Sequence, residues 1–261
     1  MPLVPTAALV SHAVRESSAV LAFNVITLDH AEAVARACAR TPLLAACAAV
    51  AEGCAVPLAL HLDHVEDEEL ALRASGLGCG SVMFDASRLP HAENVARTAA
   101  LTARLHADDV WVEAELGEIG GKDGVHSATA RTDPAEAAEY VRATGVDALA
   151  VAVGSSHAMT SRTATLDHEL ISRLRGAVGV PLVLHGSSGV PDGALVAAVT
   201  AGMRKINFGT HLNTAFTEAV RAELGAREGV DPRRYLGAGR EAVTDAVAAL
   251  LHLLAPVPAA R

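Results

Sequence analysis

The chain has 261 residues, with 21 Lys and Arg against 30 Asp and Glu, and a formal net charge of −9. That acidic balance excludes a chain built to grip nucleic acid or an anionic membrane, both of which need a basic footprint. With 51% hydrophobic residues the chain can bury a sizeable core. No apolar run reaches the roughly 18 residues that span a bilayer.

The first ten residues lack the basic start and long apolar stretch of a secretory signal. Cys38, Cys47, Cys54 and Cys79 show no C-x-x-C spacing, so reduced thiols and a cytoplasmic setting are expected. Short runs rich in Val, Leu and Ile alternate with Ala-rich helical stretches, the pattern of βαβ units on a parallel sheet. In chain order the strands are expected at Val20–Val25, Val56–His61, Gly80–Asp85, Val110–Glu115, Asp147–Val153, Pro181–His185 and Lys205–Phe208. Helices are expected at Asp29–Ala39, Glu66–Ser75, His91–His106, Pro134–Thr144, Asp167–Gly176 and Asp192–Ala201, then from Phe208 to Leu224 and from Arg240 to Leu254. No linker or charge block divides the chain, so residues 1–261 read as a single barrel domain with C-terminal helices over about 211–254.

This α/β alternation fits a (β/α)8 TIM-type barrel, with a doubly wound open sheet as the rival. Two features favour the barrel. The histidines and carboxylates fall at strand C-terminal ends, where barrels gather their chemistry. The first strand is not followed by the G-x-G-x-x-G of a dinucleotide fold.

Three apolar segments run into a histidine, leading to His61 and His64, to His157 and to His185. Three neutral imidazoles from separate strand ends leave an open position on a zinc ion, a catalytic rather than a structural arrangement. Asp63, beside His64, is suited to moving a proton to or from a hydroxyl, or to supporting a ligand. Glu113 and Glu115 share strand alternation and both can face the barrel, where a buried carboxylate needs a partner. Asp85 ends its strand in the same way. Gly186-Ser187-Ser188-Gly189 and Asn207-Phe208-Gly209-Thr210 follow the last strands, where barrels often hold phosphate on backbone amides and hydroxyls. Lys122 and Lys205 are the only lysines. Lys205 is read as starting its strand, away from the catalytic face, which leaves no lysine placed for a Schiff base and favours metal-assisted polarisation.

Taken together, Ala22-Phe-Asn-Val25, His61-Leu-Asp-His64, Ser81-Val-Met-Phe-Asp85-Ala-Ser87, Val112 to Gly121, Ala150 to His157, Leu184 to Gly189 and Lys205 to Thr210 resemble the class II, zinc-dependent ketose-bisphosphate aldolases. The resemblance is to their tagatose- and fructose-bisphosphate branch. It implies zinc on His64, His157 and His185, with Asp85, Glu113 and Glu115 supporting the ligands. It further implies Asp63 as acid/base, and Asn207 aligning dihydroxyacetone phosphate. Asn24, Gly186, Ser188, Gly189, Gly209 and Thr210 would line the substrate and phosphate site, with a monovalent cation (Na+ or K+) near the phosphate. The expected partners are a small sugar phosphate and further copies of the chain, as a homodimer or higher homo-oligomer. The expected reaction makes or cleaves a carbon–carbon bond between dihydroxyacetone phosphate and an aldehyde. An unusual acceptor aldehyde, or a catalytically weak paralogue that binds zinc or sugar phosphate, are the alternatives.

Four departures from the family pattern stand out. Ala158 replaces the usual Gly, and Arg88 stands where His is common. The loop Gly120-Gly-Lys-Asp-Gly124 leaves only Asp123 for a proton-transfer role usually taken by Glu. The fourth is a missing segment before Pro57. Thr41 as N-cap, Pro42 at the first helical position and Gly53 at the end mark a helix, with no strand ahead of it; the alternative is that Pro42–Cys47 is a short strand and its helix is lost. The barrel is therefore expected to be modified or incomplete at its second strand. Dihydroxyacetone phosphate is expected to bind, and fructose 1,6-bisphosphate to be a poor substrate.

Overall fold

The computed structural model describes residues 4–23, 47–48, 50–116, 130–157 and 159–255. The fold is an α/β TIM-type barrel that is incomplete among the described residues. Its seven strands are β1 (Val20–Phe23), β2 (His61–Val65), β3 (Ser81–Phe84), β4 (Trp111–Glu115), β5 (Ala148–Ala150), β6 (Leu182–Leu184) and β7 (Met203–Phe208). All neighbouring pairs are parallel, in the order β1-β7-β6-β5-β4-β3-β2. Among the described residues β1 and β2 do not pair, so the ladder is open between them.

The helices are α1 (Thr6–Arg15), α2 (Glu68–Leu72), α3 (His91–Ala107), α4 (Pro134–Thr144), α5 (His168–Ala177), α6 (Asp192–Ala201), α7 (Thr210–Ala226) and α8 (Pro232–Leu253). Their starts follow local chemistry. Asp67, Asp133, Asp167 and Asp231 each accept first-turn amides, and Pro134 and Pro232 sit where a missing amide hydrogen costs nothing. Gly145, with φ of +69°, closes α4.

Strand alternation splits the interior in two. Outward-facing Val82, Phe84, Val112, Ala114, Leu149, Val151, Leu182, Leu184, Ile206 and Phe208 form the main core with the helices. Trp111, Ala148, Ala150, Ala152 and Val183 make a smaller cluster, to which α1 contributes Val10. The small alanines of β5 leave space inside the sheet for the polar side chains of β4 and β7.

The expected element order holds, with two corrections besides the last helix, which starts at Pro232 rather than Arg240, and the last strand, which starts at Met203 rather than Lys205. The second described strand lies at His61–Val65, not Val56–His61, because parallel pairing with β3 begins only at His61 opposite Ser81. The apolar run at 56–60 leads into the strand, and the strand itself carries the polar residues because they face the interior. The second correction is α1, which the sequence reading did not assign. Of the helix expected over Thr41–Gly53, residues 47, 48 and 50–52 are helical. The rest, with the helix at Asp29–Ala39 and the question of a strand before Thr41, lies outside the described residues. Among the described residues no helix is long and apolar enough to cross a membrane.

Candidate metal centre and active site

The site begins with an irregularity in β2. Leu62 pairs with Val82 but Val65 pairs with Phe84, so β2 carries one extra residue there. His64 absorbs the bulge with φ of +51°, a left-handed backbone that costs a non-glycine residue roughly 1–2 kcal/mol. The bulge breaks strict alternation and lets Asp63 and His64, adjacent in sequence, face the same cavity. His61 instead points lower into the barrel, where its Nδ1 lies 2.8 Å from Ser81 Oγ.

Two glycines bring the other histidines together. Gly154 turns the chain after β5 at φ of +113°, and a Cβ there would lie 2.2 Å from the Thr165 carbonyl oxygen. Gly186, at φ of +66°, follows His185 so closely against Ser156 that a Cβ would meet that backbone at 2.6–2.9 Å. Ser155 Oγ donates to the His185 carbonyl at 2.6 Å and fastens the same two loops. The rings of His64, His157 and His185 consequently converge edge to face, with centroids 4.6–5.8 Å apart. One ring nitrogen of each lies within 4.8 Å of the others.

Two of the carboxylates expected to support these histidines lie against them. Asp85 Oδ2 lies 2.8 Å from His64 Nδ1, while its Oδ1 accepts from the Ser87 amide and hydroxyl. A carboxylate on Nδ1 leaves Nε2 of His64 as the basic nitrogen. Glu113 does the same for His185 from the opposite side, with Oε1 at 2.8 Å from Nε2. His185 Nδ1 is then fully buried without a hydrogen bond, 4.0 Å from Glu115 Oε2. An orphaned imidazole nitrogen beside two more histidines is the donor set of a zinc-type cation, so these residues fit that metal. Glu115 also forms a second cluster of possible ligands with His64 and Asp85.

Charge is concentrated beneath the cavity. Burial alone would raise the Asp63 pKa, but His185, Lys205, His61 and His64 outweigh it and hold the carboxyl well below the usual range. Burial also opposes ionisation of Glu113, yet Lys205 and the His185 hydrogen bond bring it down to about 2. His61 is pushed down to about 4 by burial and then by Lys205. Burial pulls the His185 pKa down, but the hydrogen bond and charge of Glu113, with the charge of Asp63, together outweigh it and move it upward.

Asp63, His64, His157, His185, Gly186, Ser188, Asn207, Gly209 and Thr210 all line one cavity of about 190 Å³, together with Ser187 and Asn213. Asn207 Nδ2 donates to Asp63 Oδ1 at 3.2 Å. Gly189 is buried against Met159 and does not line the cavity. Asn24 and Asp123 lie outside the described residues.

Over residues 39–256 the sequence matches the family Fructose-bisphosphate aldolase class-II. The chain belongs to that family. The YdjI aldolase of Escherichia coli K12 is 30% identical, with a TM-score of 0.80 over 99% of this chain and 100% of that one. A candidate fructose-1,6-bisphosphate aldolase from Coccidioides immitis is 29% identical, with a TM-score of 0.81 over 97% and 96% of the two chains. The Campylobacter jejuni fructose-bisphosphate aldolase, at 22% identity and a TM-score of 0.77 over 98% and 96%, shares the fold.

For this class-II aldolase the sequence reading misplaced one residue. Lys205 does not open its strand away from the catalytic face. It sits within β7, 2% exposed, with Nζ 2.8 Å from both Glu113 Oε2 and Asn207 Oδ1. The strand begins two residues earlier, at Met203. Counting back by two from Asn207 places Lys205 on the inward face, a signal the sequence does carry. Ser187 was quoted within its loop but given no role, and Asn213, one turn into α7, carried no motif.

Proposed function

We propose that this aldolase is zinc-dependent and makes or cleaves a carbon–carbon bond between dihydroxyacetone phosphate and an aldehyde. The observation that carries the reading is the convergence of three histidines from the ends of β2, β5 and β6 on the cavity that also holds Asp63 and Asn207. His64, His157 and His185 would hold the zinc, which supplies Lewis-acid polarisation of a substrate carbonyl when bound.

The remaining work falls to the chain itself. Asp63, held as a carboxylate and touching Asn207, takes the hydroxyl proton in cleavage and returns it to the aldehyde oxygen in synthesis. Asn207 offers Nδ2 to align the three-carbon donor. No Lys or Arg is among the described cavity residues, so the phosphate rests on neutral donors: Gly186, Ser188, Gly209 and Thr210. At the start of the 17-residue helix α7 the Gly209 N-cap offers no side chain and the His211 amide donates to Ser188 Oγ at 3.0 Å, which aims the Ser188 hydroxyl hydrogen and the opening turn at an anion. The same reading includes a cation near the phosphate, a homodimer or higher homo-oligomer, and a cytoplasmic setting.

The test incubates zinc-loaded protein and dihydroxyacetone phosphate with a panel of aldehydes, followed by mass spectrometry. Ketose phosphates enlarged by the aldehyde are expected. No product with any aldehyde, with zinc bound at one per chain, overturns the reading.

A further inference from the structure

Lys205 is a fully enclosed cation, among the described residues, that the chemistry above leaves without a task. A buried ion pair is weak evidence of a stabilising role, since apolar replacements of similar volume are often neutral or better. What distinguishes Lys205 is direction. An ammonium only donates, so its 2.8 Å contact fixes Oδ1 as the Asn207 atom facing it. The amide nitrogen must then face the other way, where Asp63 Oδ1 accepts from it at 3.2 Å. A carboxylate only accepts, so the two neighbours impose one orientation on the amide from both ends. The second Lys205 contact, to Glu113 Oε2, ties the same ammonium to the carboxylate that holds His185.

We propose that Lys205 is a positioning residue that locks the Asn207 amide with Nδ2 toward Asp63 and the cavity, and braces it against the Glu113–His185 pair. The inference rests on the aldolase reading above for its effect on turnover, though the orientation itself does not depend on substrate. Replacing Lys205 by methionine removes the one donor-exclusive contact that the Asn207 amide makes among the described residues and leaves its Oδ1 without the ammonium. Replacing it by glutamine keeps a polar group, but one that both donates and accepts and so no longer dictates which way Asn207 faces.

The experiment has two arms on the zinc-loaded full chain. In the first, asparagine is labelled with 15N and the Asn207 side-chain resonances are identified by their loss in Asn207→Ala. A slowly exchanging pair is expected in the unmodified protein, with a shift or broadening in Lys205→Met and in Lys205→Gln. In the second, a cycle of Lys205→Met, Asn207→Ala and the double variant is assayed for aldol turnover. Lys205→Met is expected to lower kcat on the order of 10²-fold with zinc content unchanged. The double variant is expected to match Asn207→Ala within about threefold, because both changes remove one device. Unchanged Asn207 resonances in either variant, or effects that multiply in the double variant, overturn the proposal. Should Lys205→Met fail to fold, Lys205→Gln is carried through both arms under the same criteria. Absence of turnover in the unmodified protein counts against the aldolase reading, and the resonance arm still decides the role of Lys205.

Discussion

His185 meets Glu113 through Nε2 at 2.8 Å, with both side chains fully buried, and this contact leaves Nδ1 of His185 as the nitrogen without a hydrogen bond. Glu113 therefore selects which atom of His185 is offered to a metal. Glu113→Gln keeps the shape but loses the charge that His185 and Lys205 share. Zinc affinity is expected to fall 10–100-fold, the usual scale for losing such a partner, as measured by chelator competition. Unchanged affinity would show that Glu113 does not orient this ligand.

Asp63 touches Asn207 and lies beside a candidate ligand without being one of the three. Asp63→Asn is expected to slow carbon–carbon bond formation by roughly 10²–10⁴-fold, the scale of a positioned acid/base, with one zinc still bound per chain. Steady-state kinetics and metal analysis on the same preparation check it. Loss of zinc instead would make Asp63 a structural neighbour of His64.

Gly186 lets the loops after β5 and β6 approach each other at van der Waals distance. In Gly186→Ala the new methyl carbon falls 2.6–2.9 Å from Ser156 backbone atoms, at a φ of +66°. The left-handed backbone alone costs about 1 kcal/mol or more, and the clash with backbone has no flexible partner to yield. Denaturant unfolding is expected to show a loss of at least about 2 kcal/mol, with a raised KM for dihydroxyacetone phosphate. A variant as stable as the parent would mean that the two loops part without penalty.

A separate buried network braces the end of β4. Tyr140 donates to Asn94 Oδ1 at 2.7 Å, Thr98 donates to the same oxygen at 3.0 Å, and Asn94 Nδ2 lies 3.2 Å from the carbonyls of Glu115 and Leu116. Tyr140→Phe removes one of two donors and is expected to cost about 1 kcal/mol. Asn94→Ala removes the donor to the buried Glu115 carbonyl and the half-buried Leu116 carbonyl, together with the acceptor of Tyr140 and Thr98, and is expected to cost about 2–3 kcal/mol. Urea titrations of both variants check the order; a Tyr140→Phe variant as stable as the parent would mean that Tyr140 acts chiefly by packing.

Much of this architecture was legible because two periodicities were plain: short β-branched runs for strands, and Asp caps before Ala-rich stretches for helices. The three histidines that converge on the cavity were legible because each ends or closely follows an apolar run. The position of β2 was not, since the apolar run before His61 was taken as the strand and His61, Asp63 and His64 as its end. They form a strand because His61, His64 and Asp63 meet Ser81, Asp85 and Asn207 inside the barrel, a tertiary fact that no local pattern carries. Lys205 was misread for a related reason. A charged residue at an apparent strand edge looks solvent-facing until Glu113 and Asn207, distant in sequence or separated by one pleat, are seen to receive it. Helix α1 starts without a side-chain cap, and its place is set by Val10 joining the buried cluster that holds Trp111 and by Thr6 Oγ1 meeting Ser81 Oγ at 2.6 Å.

The most direct test of the central claim needs no knowledge of the acceptor aldehyde. Dihydroxyacetone phosphate is incubated in deuterated water with metal-free and with zinc-restored protein, and loss of the proton on its hydroxymethyl carbon is followed by NMR. The account predicts stereospecific exchange with the zinc-restored protein, and none above the uncatalysed rate without metal. Equal exchange in the metal-free protein, or no exchange with one zinc bound per chain, would contradict it.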